Sequence, residues 1–282
     1  MSCSIDTQCP SCALAILQNT LSSHALGSPP LNVAQAPLTV DGVRYVAGCV
    51  ICALERLHCR LGCVYRNLST DAISVDENGC ICLLDYRLAK RLVGYSKTFT
   101  LCGVADYLSP EQVTCSGHGL SADLWALGVL LWEVTAGEGP WGNEPNEVNI
   151  YRRITDHSKG ALADRLADQR NKGYVPPDYF VPTLVDLIDA LLVPEPLDRL
   201  GASADEQTAA QGFDALKAHP LFVNMKWDVL IDGGMLSPLL TSAATHVREQ
   251  VERFALASND AVLSELMGTT EFDGDGSWFS QY

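Results

Sequence analysis

The sequence predicts a mainly α-helical fold carrying one short β-hairpin, and three stretches carry that prediction. Over residues 45–59 the apolar positions Val46, Cys49, Val50, Ala53, Leu54 and Leu57 recur at helical spacing, a one-sided stripe that packs against a core. A second helix is expected from Ser121 as N-cap to about Ala136, with Asp123 in its first turn and Gly137 as its stop. Residues 124–131 are apolar all round, so this helix should be buried on every side. Between the two helices, residues 72–75 and 80–84 flank Asp76-Glu77-Asn78-Gly79. Two short runs with β-branched residues around an Asn-Gly turn read as a hairpin.

Composition bounds the functions open to the chain. Its 282 residues, 47% of them hydrophobic, can bury a substantial core in one large domain or two small ones. The 19 Lys+Arg against 34 Asp+Glu give a net charge of −15, which argues against nucleic-acid binding and suits a basic peptide as partner. The eleven cysteines are odd in number, many sit in apolar runs, and no N-terminal signal pattern precedes them, so reduced thiols in a cytoplasmic protein are expected. Cys9/Cys12 and Cys49/Cys52 have zinc-like spacing, but the second pair falls on the expected helix and the separation is long for a zinc ribbon. The longest apolar run, 124–131, is too short to span a bilayer, so no membrane segment is expected.

Three segments follow from the order of signals. Residues 1–44 are irregular, with a Ser/Pro/Gly-rich connection around Gly27-Ser28-Pro29-Pro30. Residues 45–227 hold the helices and the hairpin, and a further helix is expected where Thr183 and Asp186 form a capping-box-like pair before Leu184, Leu187, Ile188 and Leu191, closed by Pro194 and Pro196. Asn171-Lys172-Gly173 reads as a loop. Residues 228–282 carry one weak amphipathic helix, Val247, Val251, Phe254 and Ala255, and an acidic, aromatic end from Phe272 to Tyr282. Asp273, Asp275 and Ser277 resemble the start of a calcium loop but lack its glutamate at the twelfth position.

Around the hairpin stand Tyr65-Arg66-Asn67-Leu68-Ser69-Thr70-Asp71-Ala72 and, after it, Asp85-Tyr86-Arg87. The first resembles the catalytic loop of a protein kinase and the second its metal-binding DFG turn. Residues 97–111, ending in Ser109-Pro110-Glu111, are similar to the activation segment and closing Ala-Pro-Glu of AGC-group serine/threonine kinases, the group that includes the cyclic-nucleotide-dependent enzymes. Ser121-Ala-Asp-Leu-Trp-Ala-Leu-Gly128 resembles the central helix of the kinase large lobe, and Leu197-Asp-Arg-Leu-Gly201 the segment whose arginine pairs with the glutamate of Ala-Pro-Glu. His219-Pro-Leu-Phe222 to Trp227 resembles the lobe's end. The resemblance implies a kinase-like large lobe from about Ala13 to Trp227, with a degenerate hinge near 12–26, followed by an AGC-type tail whose Gly-Ser-Trp-Phe ending is faintly similar to cyclic-GMP-dependent kinases. It also implies a buried scaffold ion pair between Arg199 and Glu111, with Asp123 as a structural acid.

The same resemblance shows what chemistry is lost. Kinases hold ATP under a Gly-x-Gly-x-x-Gly turn and pair its phosphates with a lysine. No such turn precedes the catalytic loop here and the first lysine is Lys90, so the small lobe is largely absent from this chain. Asn67 stands where the catalytic aspartate accepts the hydroxyl proton, and a neutral amide is no base. Ser69 replaces the lysine that steadies the transferring phosphate, and Ala72 replaces the magnesium-binding asparagine. Ser74 matches the floor of the adenine pocket. Asp85 remains as a single magnesium ligand, and Arg87 replaces the following glycine, restricting the backbone and bringing a cation to the metal position. Phosphoryl transfer rests on positioning and charge neutralisation, so each loss raises the barrier separately.

The regulatory and substrate-facing positions are better kept. Thr100 sits where AGC kinases are phosphorylated, and a phosphate there would pair with Arg66 and Lys90. Glu133, and more weakly Asp71, match acids that hold arginines of basic substrates. The reading is a catalytically inactive pseudokinase lobe that acts by protein binding, its partner a basic peptide or a kinase regulatory subunit, with no tightly bound cofactor. The alternative is an active ATP- and magnesium-dependent serine/threonine kinase of the cyclic-nucleotide-dependent type, truncated at its N-terminus.

Overall fold

Thr39 opens the first helix: its Oγ1 accepts from the Gly42 amide at 3.3 Å, and Asp41 sits in the first turn of α1, Val40–Glu55. The computed structural model that shows this describes residues 38–75, 79–93, 96–142, 144–158, 161–162, 165, 181–203, 206–233, 235 and 237–239. All the elements named below belong to one unit, Met1–Pro238. The hinge-like stretch, the loop at 171–173 and the tail beyond Leu239, with its expected helix and acidic end, lie outside the described residues. The fold is mainly α.

Helix α1 begins at Val40, five residues before the start expected at 45, because the cap lies at Thr39. Val43, Val46, Val50, Ile51 and Leu54 form its buried face. Its end widens into a π-helical turn, Arg56–Arg60, which carries His58 into the interior. The chain then forms β1, Cys63–Val64, and the hairpin of β2, Ile73–Val75, with β3, Ile81–Leu83. The hairpin register is Ile73↔Leu83, Ser74↔Cys82 and Val75↔Ile81. A fourth strand, β4, Lys90–Arg91, pairs antiparallel with β1. The two pairings hold the loops 65–72 and 84–89 side by side.

A short helix α2, Pro110–Val113, precedes the central helix α3, Ser121–Ala136. Its residues from Ala122 to Trp132 are buried, and Gly137 ends it at φ 79. Ser121 is not its cap: Leu120 holds that position, and the Ser121 carbonyl accepts from Arg199 at 3.0 Å. After α4, Glu147–Thr155, helix α5, Pro182–Leu191, packs on α3. A Cβ at Gly128 would lie 2.8 Å from Leu192 Cγ and 3.0 Å from Leu191 Cβ, so glycine sets how closely these two segments approach. The capping box expected at Thr183 does not form. Val181 is the N-cap and Pro182 takes the first helical position, where its fixed φ fits and its missing N–H costs nothing; Asp186 instead accepts from His219 Nε2 at 3.1 Å. Helices α6, Glu206–Lys217, and α7, Trp227–Ile231, complete the described elements.

Candidate functional site

Asp123 organises the site. It is 1% exposed, and its carboxylate leaves its own helix to accept three hydrogen bonds, from His58 Nε2 at 2.7 Å, the Tyr65 amide at 2.7 Å and the Arg66 amide at 2.8 Å. That grip holds Arg66 at φ 62, a left-handed conformation uncommon for a side-chain-bearing residue. Loop 65–72 is thus fixed to the central helix by one buried anion. Tyr65 ties it to the second loop, since its hydroxyl donates to the Leu84 carbonyl and its ring packs 5.3 Å from Tyr86. Burial raises the pKa of both tyrosines, that of Tyr86 to about 12, so both hydroxyls stay protonated donors.

The positions that would carry chemistry are occupied differently. Asn67 turns its amide to the Asp85 carbonyl, 3.1 Å away, so its donor is spent on holding the two loops together. Ser69 is buried, with its carbonyl accepting from the Ala72 amide at 3.1 Å, and Ala72 is itself buried and offers only its methyl. Ser74 lies buried on β2 opposite Cys82. Asp85 sits at φ 54 and is 32% exposed. Arg87 grips both its oxygens, Nε to Oδ1 at 2.6 Å and Nη2 to Oδ2 at 2.7 Å, and adds its backbone amide at 3.2 Å. Hydrogen bonding from Arg87 is the first cause holding the Asp85 carboxyl below the usual carboxylate range. The fit to a magnesium ion is poor on this geometry: one carboxylate is already paired with a cation, and Ala72 supplies no oxygen.

The segment after β4 lies against this loop. Gly103, at φ 112, passes so close to Arg66 that a Cβ would stand 2.8 Å from the Arg66 carbonyl oxygen. Thr98 and His118 exchange both backbone hydrogen bonds at 2.9 Å, and Lys90 Nζ donates to Thr98 Oγ1 at 3.0 Å. Thr100 is exposed. Arg66 Nε donates to the Leu88 carbonyl at 2.7 Å, whereas its Nη1 is buried and bonds to nothing among the described residues. Lys90 therefore engages Thr98, not Thr100.

Glu133 is half-buried near the end of α3, and both its oxygens are engaged: Oε1 by Thr70 Oγ1 at 2.9 Å, Oε2 by the Tyr107 hydroxyl. Asp71, which follows Thr70 in the chain, is exposed. Glu111 and Arg199 meet in a buried bidentate pair at 2.7 Å for both bonds, and Arg199 also donates to the carbonyls of Val193, Ser121 and Pro194 while its guanidinium lies 5.2 Å from the Trp125 ring. The structure thus brings Arg66, Asn67, Asp85 and Lys90 to one surface and keeps Glu111, Arg199 and Asp123 in the interior. His58, Thr98, Tyr107 and His118 belong to the arrangement and were missed in the sequence. Only His58 had a signal there, a polar residue one turn beyond Leu54 on an apolar helical face.

Residues 21–212 match the protein kinase domain. The chain is 32% identical to cGMP-dependent protein kinase, isozyme 1, of Drosophila melanogaster over 222 residues, 78% of this chain and 26% of that protein. It is 31% identical to the cGMP-dependent protein kinase of Plasmodium berghei over 243 residues, 86% of this chain and 25% of that protein. Human cAMP-dependent protein kinase catalytic subunit PRKX is 34% identical over 195 residues, 69% of this chain and 48% of that protein. The chain thus spans between a quarter and a half of the length of these relatives. With the kinase match over more than half its length, and with the loop pair, central helix and interior ion pair in place, the chain belongs to the protein kinase family.

Proposed function

We propose that this chain is a catalytically inactive kinase-domain protein of AGC type that acts by binding other proteins. The observation that carries the reading is the Arg87 clamp: both oxygens of Asp85, the one remaining metal-ligand candidate, are held by a guanidinium on the same turn. Asn67 adds to it, because its amide donates to a backbone carbonyl and has no lone pair basic enough to take a hydroxyl proton. Neither ATP nor magnesium is bound tightly in this reading. The partner is a basic peptide or a kinase regulatory subunit, docked at Glu133 and Asp71: the Glu133 carboxylate retains free lone pairs beyond its two internal bonds, and the chain carries a net charge of −15. No helix among the described residues is long and apolar enough to cross a membrane, and the cysteines among them are free, which suits reduced thiols in the cytoplasm.

Regulation is by phosphorylation of the exposed Thr100, whose phosphate pairs with Arg66 and Lys90. Thermal shift separates the readings. An arginine-rich peptide is expected to raise Tm, and ATP with magnesium to leave it unchanged. A nucleotide-dependent rise, or transfer of labelled γ-phosphate that Asp85→Ala abolishes, would establish an active kinase instead.

A further inference from the structure

His118 is 2% exposed, and its Nε2 is buried without a hydrogen-bond partner among the described residues. A buried imidazole nitrogen left unpaired costs about 1–3 kcal/mol unless something arrives to use it. The directly opposed antiparallel pair Thr98↔His118 puts both side chains on one face, and on that face Lys90 Nζ already reaches Thr98 Oγ1. Arg66, half-buried and open to solvent on one side, brings a second buried and unpaired donor atom, Nη1. Burial and then the charge of Arg66 keep the imidazole neutral, with Lys90 adding to the effect and Glu111 and Asp123 opposing it. Thr100 follows Thr98 by two residues, at most about 7 Å of chain. Arg66 and Lys90 thus lie near enough to act on the His118 imidazole, and Lys90 contacts Thr98, two residues from the exposed Thr100, with no anion among the described residues in an ion pair with any of the three.

We propose that His118 is the pH-sensitive third donor of the pocket that receives a phosphoryl group on Thr100, beside Arg66 and Lys90. The inference rests on the Thr100 switch proposed above. A dianionic phosphate offers Nε2–H an acceptor and turns the environment of the imidazole from cationic to anionic, so the phosphorylated segment takes up a proton at His118 as it docks. Docking is then tighter at pH 6.5 than at pH 8, down to the second ionisation of the phosphate near about pH 6.

The test uses the full chain with phosphothreonine placed at position 100 during translation, read by phosphorus NMR of the phosphate and by NMR titration of the His118 ring. In the wild type the phosphate should titrate about one pH unit below free phosphothreonine, and His118 should titrate above its value in the unphosphorylated chain. His118→Gln should recover about half of the fall and Arg66→Ala more than half. A His118 ring that titrates alike with and without the phosphate overturns the inference, even if the variant does not fold. So does an unchanged phosphate curve in His118→Gln while Arg66→Ala shifts it, which leaves the Thr100 switch standing. A wild-type phosphate that titrates like free phosphothreonine ends the switch and the inference together.

Discussion

The two ends of Asp123's influence differ in kind. Below it, two interior charges are fully engaged: Arg199 makes five donor contacts, two to Glu111 and three to backbone carbonyls, and Asp123 itself accepts three. Above it, in the loops it positions, the groups are spent on one another, Asn67 on the Asp85 carbonyl and Arg87 on the Asp85 carboxylate. A scaffold pair cannot lose one partner without stranding the other in a low dielectric. A surface chemical group can be exchanged at almost no structural cost. That asymmetry explains how a kinase fold can be kept while residues in the loops it positions are exchanged.

The largest effect expected from this contrast is Arg199→Ala, which strands Glu111 and should lower stability by about 3–5 kcal/mol in urea denaturation. Asp123→Ala should cost about 3 kcal/mol or more, since it leaves His58 and two backbone amides without an acceptor. Equal stability of either variant and the wild type would erase the distinction between the two regions.

Gly128→Ala tests the apolar half of the same scaffold. The added methyl would sit 2.8 Å from Leu192 Cγ and 3.0 Å from Leu191 Cβ, and the second is close to the backbone and cannot swing away. A loss of about 1–3 kcal/mol is expected from overpacking.

These interior features were the most legible part of the sequence. Helix α3 could be read to its last residue because its apolar run and Gly137 are local signals, and Arg199 with Glu111 because both lie in motifs. Ser121 and Thr183 misled for one reason: a residue with cap chemistry was taken for the cap, whereas Leu120 and Val181 occupy those positions under tertiary constraint. Helices α4 and α6 went unread because they are polar overall, although α4 does gather its few apolar residues on one face, with Ile150 and Ile154 buried. His118 and Thr98 left no trace, since their partnership depends on two segments twenty residues apart meeting in space. The Arg87 substitution was readable, but not that its side chain folds back onto Asp85.

A smaller effect follows from the two buried histidines whose pKa burial lowers, His118 and His157. Each is neutral in the fold and protonates more readily once unfolded. Their contribution is complete above the ordinary histidine value of about 6.5 and is lost as the pH falls from there toward the lowered folded values. Urea midpoints of the unphosphorylated chain should decline over that window, and less steeply in His118→Gln.

The smallest effect on stability belongs to Arg87→Gly, and it is the sharpest probe of the upper region. Arg87 is 84% exposed, so removing it should leave the unfolding midpoint within error of the wild type. The consequence is electrostatic. Arg87 is the first cause of the lowered Asp85 pKa, so the carboxyl should titrate closer to its ordinary value once the clamp is gone, as read by carbon NMR of its side chain. In the wild type the clamp holds above the ordinary carboxylate pKa and is lost as the pH falls through the lowered folded value; in the variant the Asp85 transition should move up toward the ordinary carboxylate pKa. The freed carboxylate should also bind magnesium measurably better than the wild type, yet without phosphotransfer, because Ala72 still offers no second ligand and Asn67 no base. If the single change restored transfer, the clamp alone would be what silences the site, and the losses at Asn67, Ser69 and Ala72 would be incidental.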